Sequence, residues 1–329
     1  MKDPEHELEF HTPAGRPERL SAVWDRDREV RGRHPLVARR GRLGDGWRVW
    51  QVRLPGTARG DERAREALEH EVGAAVALHR AVGDGPHGQL FTRLVGYDLD
   101  ASEPFVVYAP RRGRALADCG AQLNGKQLHV LMRGLVQAVR LLEHVGYVCR
   151  AISPDRIWWD GRSAWLSELF GAVPTGQPRT AFGEEPWAAP EQRAGVGESD
   201  ARDDVWSVAR VMYAVFAGHP GPATGPPADL DAYPGLTALS DAGAFSPRAA
   251  DRPGPRRVLR LLDVDDPSRG VPLDDLEAGR LDFDEKLAAK RRSLGLAAPA
   301  GGQDDAARVG GGAPRAARPW WRSGGRGAR

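Results

Sequence analysis

The stretch DDVWSVARVMYAVFAG, residues 203–218, is apolar on nearly every side of a helix, with Val205, Val208, Met212 and Val215 recurring at helical spacing. A helix without a solvent face must be wrapped by other elements. The chain is long enough for that: 329 residues with 41% hydrophobic content fit one large domain of two lobes or two small domains. A second amphipathic run, LHVLMRGLVQAVRLLEHVGY, places Leu128, Leu131, Leu135, Val139 and Leu142 on one face. The second half is therefore expected to be mainly helical, with RRVLRLL (256–262) and the charged DFDEKLAAKRRSLG (282–295) as further helices.

The first half reads differently. HPLVARRGR and GWRVWQVRL flank Leu43-Gly44-Asp45-Gly46, and an Asp-Gly pair suits a tight hairpin turn. Residues 61–82 predict a helix whose broad apolar face carries Ala64, Leu68, Val72, Ala75, Val76 and Leu78. FTRLVGYDL and EPFVVYAP predict two more strands. The expected organisation is a loose polar arm at 1–19, a strand-rich unit at 20–117, a helical unit at 118–263, a helical extension at 264–295 and a disordered Gly/Ala/Arg-rich tail at 296–329.

Charge excludes some functions. With 47 basic and 45 acidic residues the net charge is +2, and no global field draws nucleic acid. The two cysteines, Cys119 and Cys149, have no partner at ligand or framework spacing, so a reducing, cytoplasmic setting is expected. The polar start MKDPEHELEFHTPAG lacks the apolar core of a signal peptide, and no run is long enough to span a membrane.

Several blocks in order carry a family resemblance. GYVCRAISPDRIWWDGRSAWLSELFGA resembles the protein kinase catalytic loop and the strand pair after it. GEEPWAAPEQ resembles the end of an activation segment, with Ala189-Pro190-Glu191 at the Ala-Pro-Glu position. PFVVYAPRRGRALAD is similar to the last small-lobe strand and hinge, and Ala250-Asp251-Arg252-Pro253 to the start of the last lobe helix. Together these span roughly residues 20–262. The resemblance implies an α+β, bilobal protein kinase-like fold, with a strand-rich small lobe and a mainly helical large lobe.

What the resemblance implies chemically is loss. Ala151 stands at the catalytic aspartate, and a methyl group accepts no proton. Arg156 stands at the metal-binding asparagine, and a guanidinium ligates no cation. Glu168 stands at the metal-binding aspartate in an ungapped match; shifted by one residue, the position has no carboxylate. Arg53 takes the lysine position, facing Glu71, with Gln51 at the small residue that packs on adenine. Tyr108 takes the gatekeeper position, and Ala109 and Arg111 follow it in a nucleotide pocket, if one is used. Cys149 replaces the motif's histidine and reads best as a small core residue. The fastenings are kept: Arg150, Asp204 and the pair Glu191 with Arg252.

The reading that follows is a pseudokinase acting as a regulatory or scaffolding binding module, with a protein partner such as another kinase and no cofactor. Two alternatives stay open. One is an atypical active serine/threonine kinase in which Glu168 or Asp155 serves the metal; the other is a sensor that binds ATP without metal. Thr175 and Thr180 are loop threonines open to phosphorylation, with an ordinary loop as the alternative. In the tail, Trp320-Trp321 among six arginines of 301–329 suit contact with a partner groove or an anionic surface, against an inert low-complexity end.

Overall fold

The computed structural model describes residues 6–25, 28–29, 36–83, 85–110, 112–272, 285–293 and 295. The predicted hairpin is there: β4 (Val37–Leu43) and β5 (Trp47–Arg53) pair antiparallel, with Leu43 opposite Trp47. Its turn needs glycine, since Gly44 and Gly46 have φ of 51° and 96°. What precedes the hairpin differs from the expectation. Residues 6–24 form two strands, β1 (His6–His11) and β2 (Pro17–Trp24), and β3 (Arg28–Glu29) adds a short pairing to β4. The helix α1 (Glu62–Val82) follows, then β6 (Leu94–Asp98) and β7 (Phe105–Tyr108).

The order β2-β1-β6-β7-β5-β4 closes on itself because β2 also pairs with β4, with Ala22 opposite Leu43 and Trp24 opposite Gly41. The result is a closed, six-stranded antiparallel barrel accompanied by helices. This corrects the bilobal protein kinase-like fold with a strand-rich small lobe: the strands form a closed barrel, and that fold is not indicated. The reason lies in the stretch taken for a loose arm. Its alternation is short and broken by charges, yet Leu8 and Phe10 point inward and, with Ala22 and Trp24 from the strand-rich stretch that follows, fill the barrel beside Leu43, Val49, Val95, Phe105 and Val107. Closure satisfies edges that an open sheet would expose. Two glycines let the large rings in, since a Cβ on Gly41 would overlap Trp24 and one on Gly96 would overlap Phe10.

The opposite faces of the same strands carry a second core. Ala38, Val52, Val106 and Tyr108 pack with Ala64, Leu68 and Val72 of α1. Asp61 caps α1 by accepting from the Ala64 N–H at 2.9 Å. The chain then runs through β8 (Arg114–Ala115) and α2 (Leu116–Cys119) to α3 (Gly125–His144), opened by a reciprocal Asn124–Gln127 capping box. Three short strands follow: β9 (Tyr147–Val148), β10 (Ile157–Trp159) and β11 (Ala164–Leu166). After them come β12 (Val173–Pro174), α4 (Pro190–Ala194), α5 (Ala201–Ala217), α6 (Thr237–Asp241) and α7 (Pro255–Leu261).

The apolar helix is α5. Trp206, Val208, Ala209, Val211 and Met212 are buried, while Val215 is half-buried, and Gly218 ends the helix in the left-handed region at φ 75°. Residues 285–293 form a last helical segment held to α1 by Arg291, which donates to Glu69 at 2.7 Å, and to the turn after β6 by Lys290, which pairs with Asp100 at 2.7 Å. The tail with Trp320-Trp321 lies outside the described residues, as does Arg111. Among the described residues no helix is long and apolar enough to cross a membrane.

If the first two strands belong to the barrel, Phe10→Ala is expected to lower unfolding free energy by about 3–5 kcal/mol, as for other buried phenylalanines. Urea denaturation measures it. A change within ~0.5 kcal/mol would mean that the segment is the loose arm its composition suggests.

Candidate functional site

The outer face of β4 and β5 passes from apolar to basic along its length. Strand alternation sets which residues lie on it. Val52 and Trp50 face outward with Ala38 and Arg40, while Val49 lies inside the barrel. Gln51 shares the inner parity, and its amide oxygen accepts from Arg39 Nε at 2.7 Å above Trp24. Gln51 therefore does not line the cleft where an adenine would pack. Arg53, of the same parity, forms an ion pair with Glu103, whose carboxylate also accepts from the Gly56 N–H at 2.7 Å. Val52 occupies the outward position beside α1 that the resemblance gave to Arg53.

At the deep end of the cleft between barrel and helices sits Glu71, wholly buried on α1. One of its oxygens accepts from the Tyr108 hydroxyl at 2.8 Å and from the Leu169 N–H at 3.3 Å. A carboxylate, a barrel strand and the loop after β11 are thus joined in one contact. Ala109 follows Tyr108, half-buried, and donates its N–H to the Arg93 carbonyl at 2.9 Å.

The loop between β9 and β10 holds the motif positions. Ala151 is buried against Gly171; a Cβ on that glycine would stand 2.8 Å from the Ala151 methyl. The Arg156 guanidinium lies over the Phe170 ring at 4.4 Å, a cation–π contact. Arg150 and Glu168 both adopt left-handed φ, 59° and 64°. Such backbone persists in non-glycine residues only when the surroundings hold it. Asp204, from the first turn of α5, supplies the hold: its two oxygens accept from the Cys149 N–H at 2.7 Å and the Arg150 N–H at 2.8 Å. The Arg150 side chain donates from Nε to the Gly171 carbonyl at 2.9 Å and from Nη1 to Thr180 at 3.3 Å, above the Phe182 ring. Thr180 is thereby part of this network, whereas the Thr175 N–H donates to the Gly146 carbonyl.

Buried charge is balanced nearby. Arg252, fully buried, donates to Glu191 and to the Arg202 carbonyl at 3.1 Å. Arg179 forks onto both oxygens of Asp203 at 2.9 and 3.0 Å. Burial pushes the Asp204 carboxyl up to about 7, against the two N–H donations that lower it. Burial, with Asp204 beside it, pushes the Cys149 thiol up to about 12, so Cys149 is an inert core thiol. Among the described residues no three His, Cys, Asp or Glu side chains gather at metal-binding distances.

The mouth of the cleft contains residues that the motif comparison passed over. A cavity of about 460 Å³ is lined by Val23, Asp25, Arg40, Arg42, Arg48 and Trp50 on the barrel, facing Pro110, Gly113 and Trp158. The signal for it was available: alternation through the Gly44-Asp45-Gly46 turn places Arg42 opposite Arg48. No family model matches the chain, and no curated protein matches it.

The Asp204 node has a testable pH signature. The folded carboxyl keeps its proton to a higher pH than the unfolded one. Its contribution to stability is therefore full below the ordinary 3.8 and is lost as pH rises through about 7. Asp204→Asn is expected to remove this slope in urea denaturation across that window. It should also cost about 1–3 kcal/mol, because an amide accepts only one of the two buried N–H groups. An unchanged slope would assign the pH dependence elsewhere.

Proposed function

We propose that this chain is a regulatory or scaffolding binding module without phosphotransfer activity. The role is carried over from the family resemblance; the bilobal fold is not. One observation carries the reading: the Arg156 guanidinium is stacked on Phe170 beside the buried Ala151 loop, at the positions to which the resemblance assigns a proton acceptor and a divalent cation. A fixed cation opposes a second cation at short range, and a methyl group takes no proton. Phosphoryl transfer depends almost wholly on positioning and on neutralising charge with metal, so these replacements act on one step together.

The surrounding contacts favour a rigid platform. Glu71 is engaged by Tyr108 and Leu169, and Arg150, Asp204 and Gln192 tie the loop to α4 and α5. A pre-organised surface loses little entropy on binding a partner.

The test is a thermal-shift titration with ATP, with and without magnesium. Ligand at about a hundred times its dissociation constant stabilises a protein by ~2.7 kcal/mol. The expected result is no magnesium-dependent rise in midpoint at millimolar ATP. A clear magnesium-dependent rise would overturn the reading and restore an enzyme as the working idea.

A further inference from the structure

We infer that the arginine-lined mouth of the cleft is the docking site for an extended acidic segment of a partner protein; the inference rests on the binding-module reading. Arg42 and Arg48 stand directly opposite each other across the hairpin, and Arg40 lies two residues along the same strand on the same face. All three are exposed. Among the described residues none of them has a carboxylate partner, and the one acid lining the cavity is Asp25. Like charges directly opposite on a sheet are destabilising, so the free protein carries a repulsion that a bound anion removes.

The spacing selects the kind of anion. Alternate residues of a strand are about 6.7 Å apart. That is the separation of Arg40 from Arg42 along β4, and equally of carboxylates on alternate residues of an extended peptide. Three guanidiniums spread along a hairpin match such a row of acids better than they match one compact phosphate group. The opposite wall supplies the rest. Pro110, Gly113 and Trp158 face Trp50 across the cavity, an apolar slot beside the charges, and the Arg40 guanidinium lies 5.9 Å from the Trp50 ring centre. A peptide alternating acidic and apolar side chains would place its acids on the arginines and its apolar groups on the tryptophans. About 460 Å³ holds a few side chains, so the cavity anchors a segment and does not enclose a domain.

The experiment is fluorescence anisotropy with a labelled synthetic peptide of alternating glutamate and valine, and with inorganic tripolyphosphate and ATP as competitors. The protein is the full chain, its R42E/R48E variant, and Arg257→Glu as a control on the exposed face of α7. The expected result is peptide binding that weakens with salt. It should fall about tenfold or more in R42E/R48E, stay unchanged in Arg257→Glu, and resist ATP. Since both replaced arginines are exposed, the variant is expected to fold, which a matched melting curve checks. Peptide binding that ignores the charge reversal overturns the inference. So does displacement by tripolyphosphate well below peptide concentrations, which would make this a phosphate site. Failure of the peptide to bind also overturns it, yet leaves the absence of magnesium-dependent ATP stabilisation, and hence the binding-module reading, standing.

Discussion

One buried carboxylate joins the parts of this molecule. Glu71 lies on the helix that packs against the outer face of the barrel, and it receives the Tyr108 hydroxyl from strand β7 and the Leu169 N–H from the loop after β11. A hydrogen bond contributes roughly 0.5–1.5 kcal/mol net, and about 1–3 kcal/mol is at stake when its loss leaves a buried partner unsatisfied. Barrel, helix and loop therefore keep a common geometry. The same contact sets the depth of the cleft, since Tyr108 is buried across its inner end. The cavity among Trp50, Trp158 and the arginines lies further out.

The second fastening is the pair of N–H groups that Asp204 holds. It keeps Arg150 in a left-handed conformation, and Arg150 in turn reaches the Gly171 carbonyl and Thr180. Gln192 closes the circle by donating to the Arg150 carbonyl at 2.8 Å. These contacts spend buried polar groups on backbone geometry. The residues at the centre, Ala151 and Arg156, offer a methyl and a stacked cation. The contrast between a loop held so firmly and the methyl and stacked cation at its centre is the basis of the functional proposal.

Local structure was legible in the sequence wherever one residue pattern had one reading. The helical spacing of Leu128, Leu131, Leu135, Val139 and Leu142 corresponds to a buried face of α3, and Leu43-Gly44-Asp45-Gly46 is the β4–β5 turn. Barrel closure was not legible. It rests on a polar hairpin whose inward side chains, Leu8, Phe10, Ala22 and Trp24, are separated by charged residues and a turn. The motif register on β5 also misled: a shift of one residue on a strand reverses the face, so Gln51 points into the barrel and Val52 toward α1. The arginine row escaped notice because motif comparison weighs residues one by one, whereas Arg42 and Arg48 acquire meaning only as a cross-strand pair.

The central claim is that no phosphate is transferred, and the most direct measurement is incorporation of label from γ-labelled ATP into the chain itself and into a generic acceptor protein, with magnesium and with manganese. Incorporation equal to that of a heat-denatured sample is expected. Transfer that scales with protein concentration, requires the divalent cation and is lost when Glu168 is replaced would contradict it.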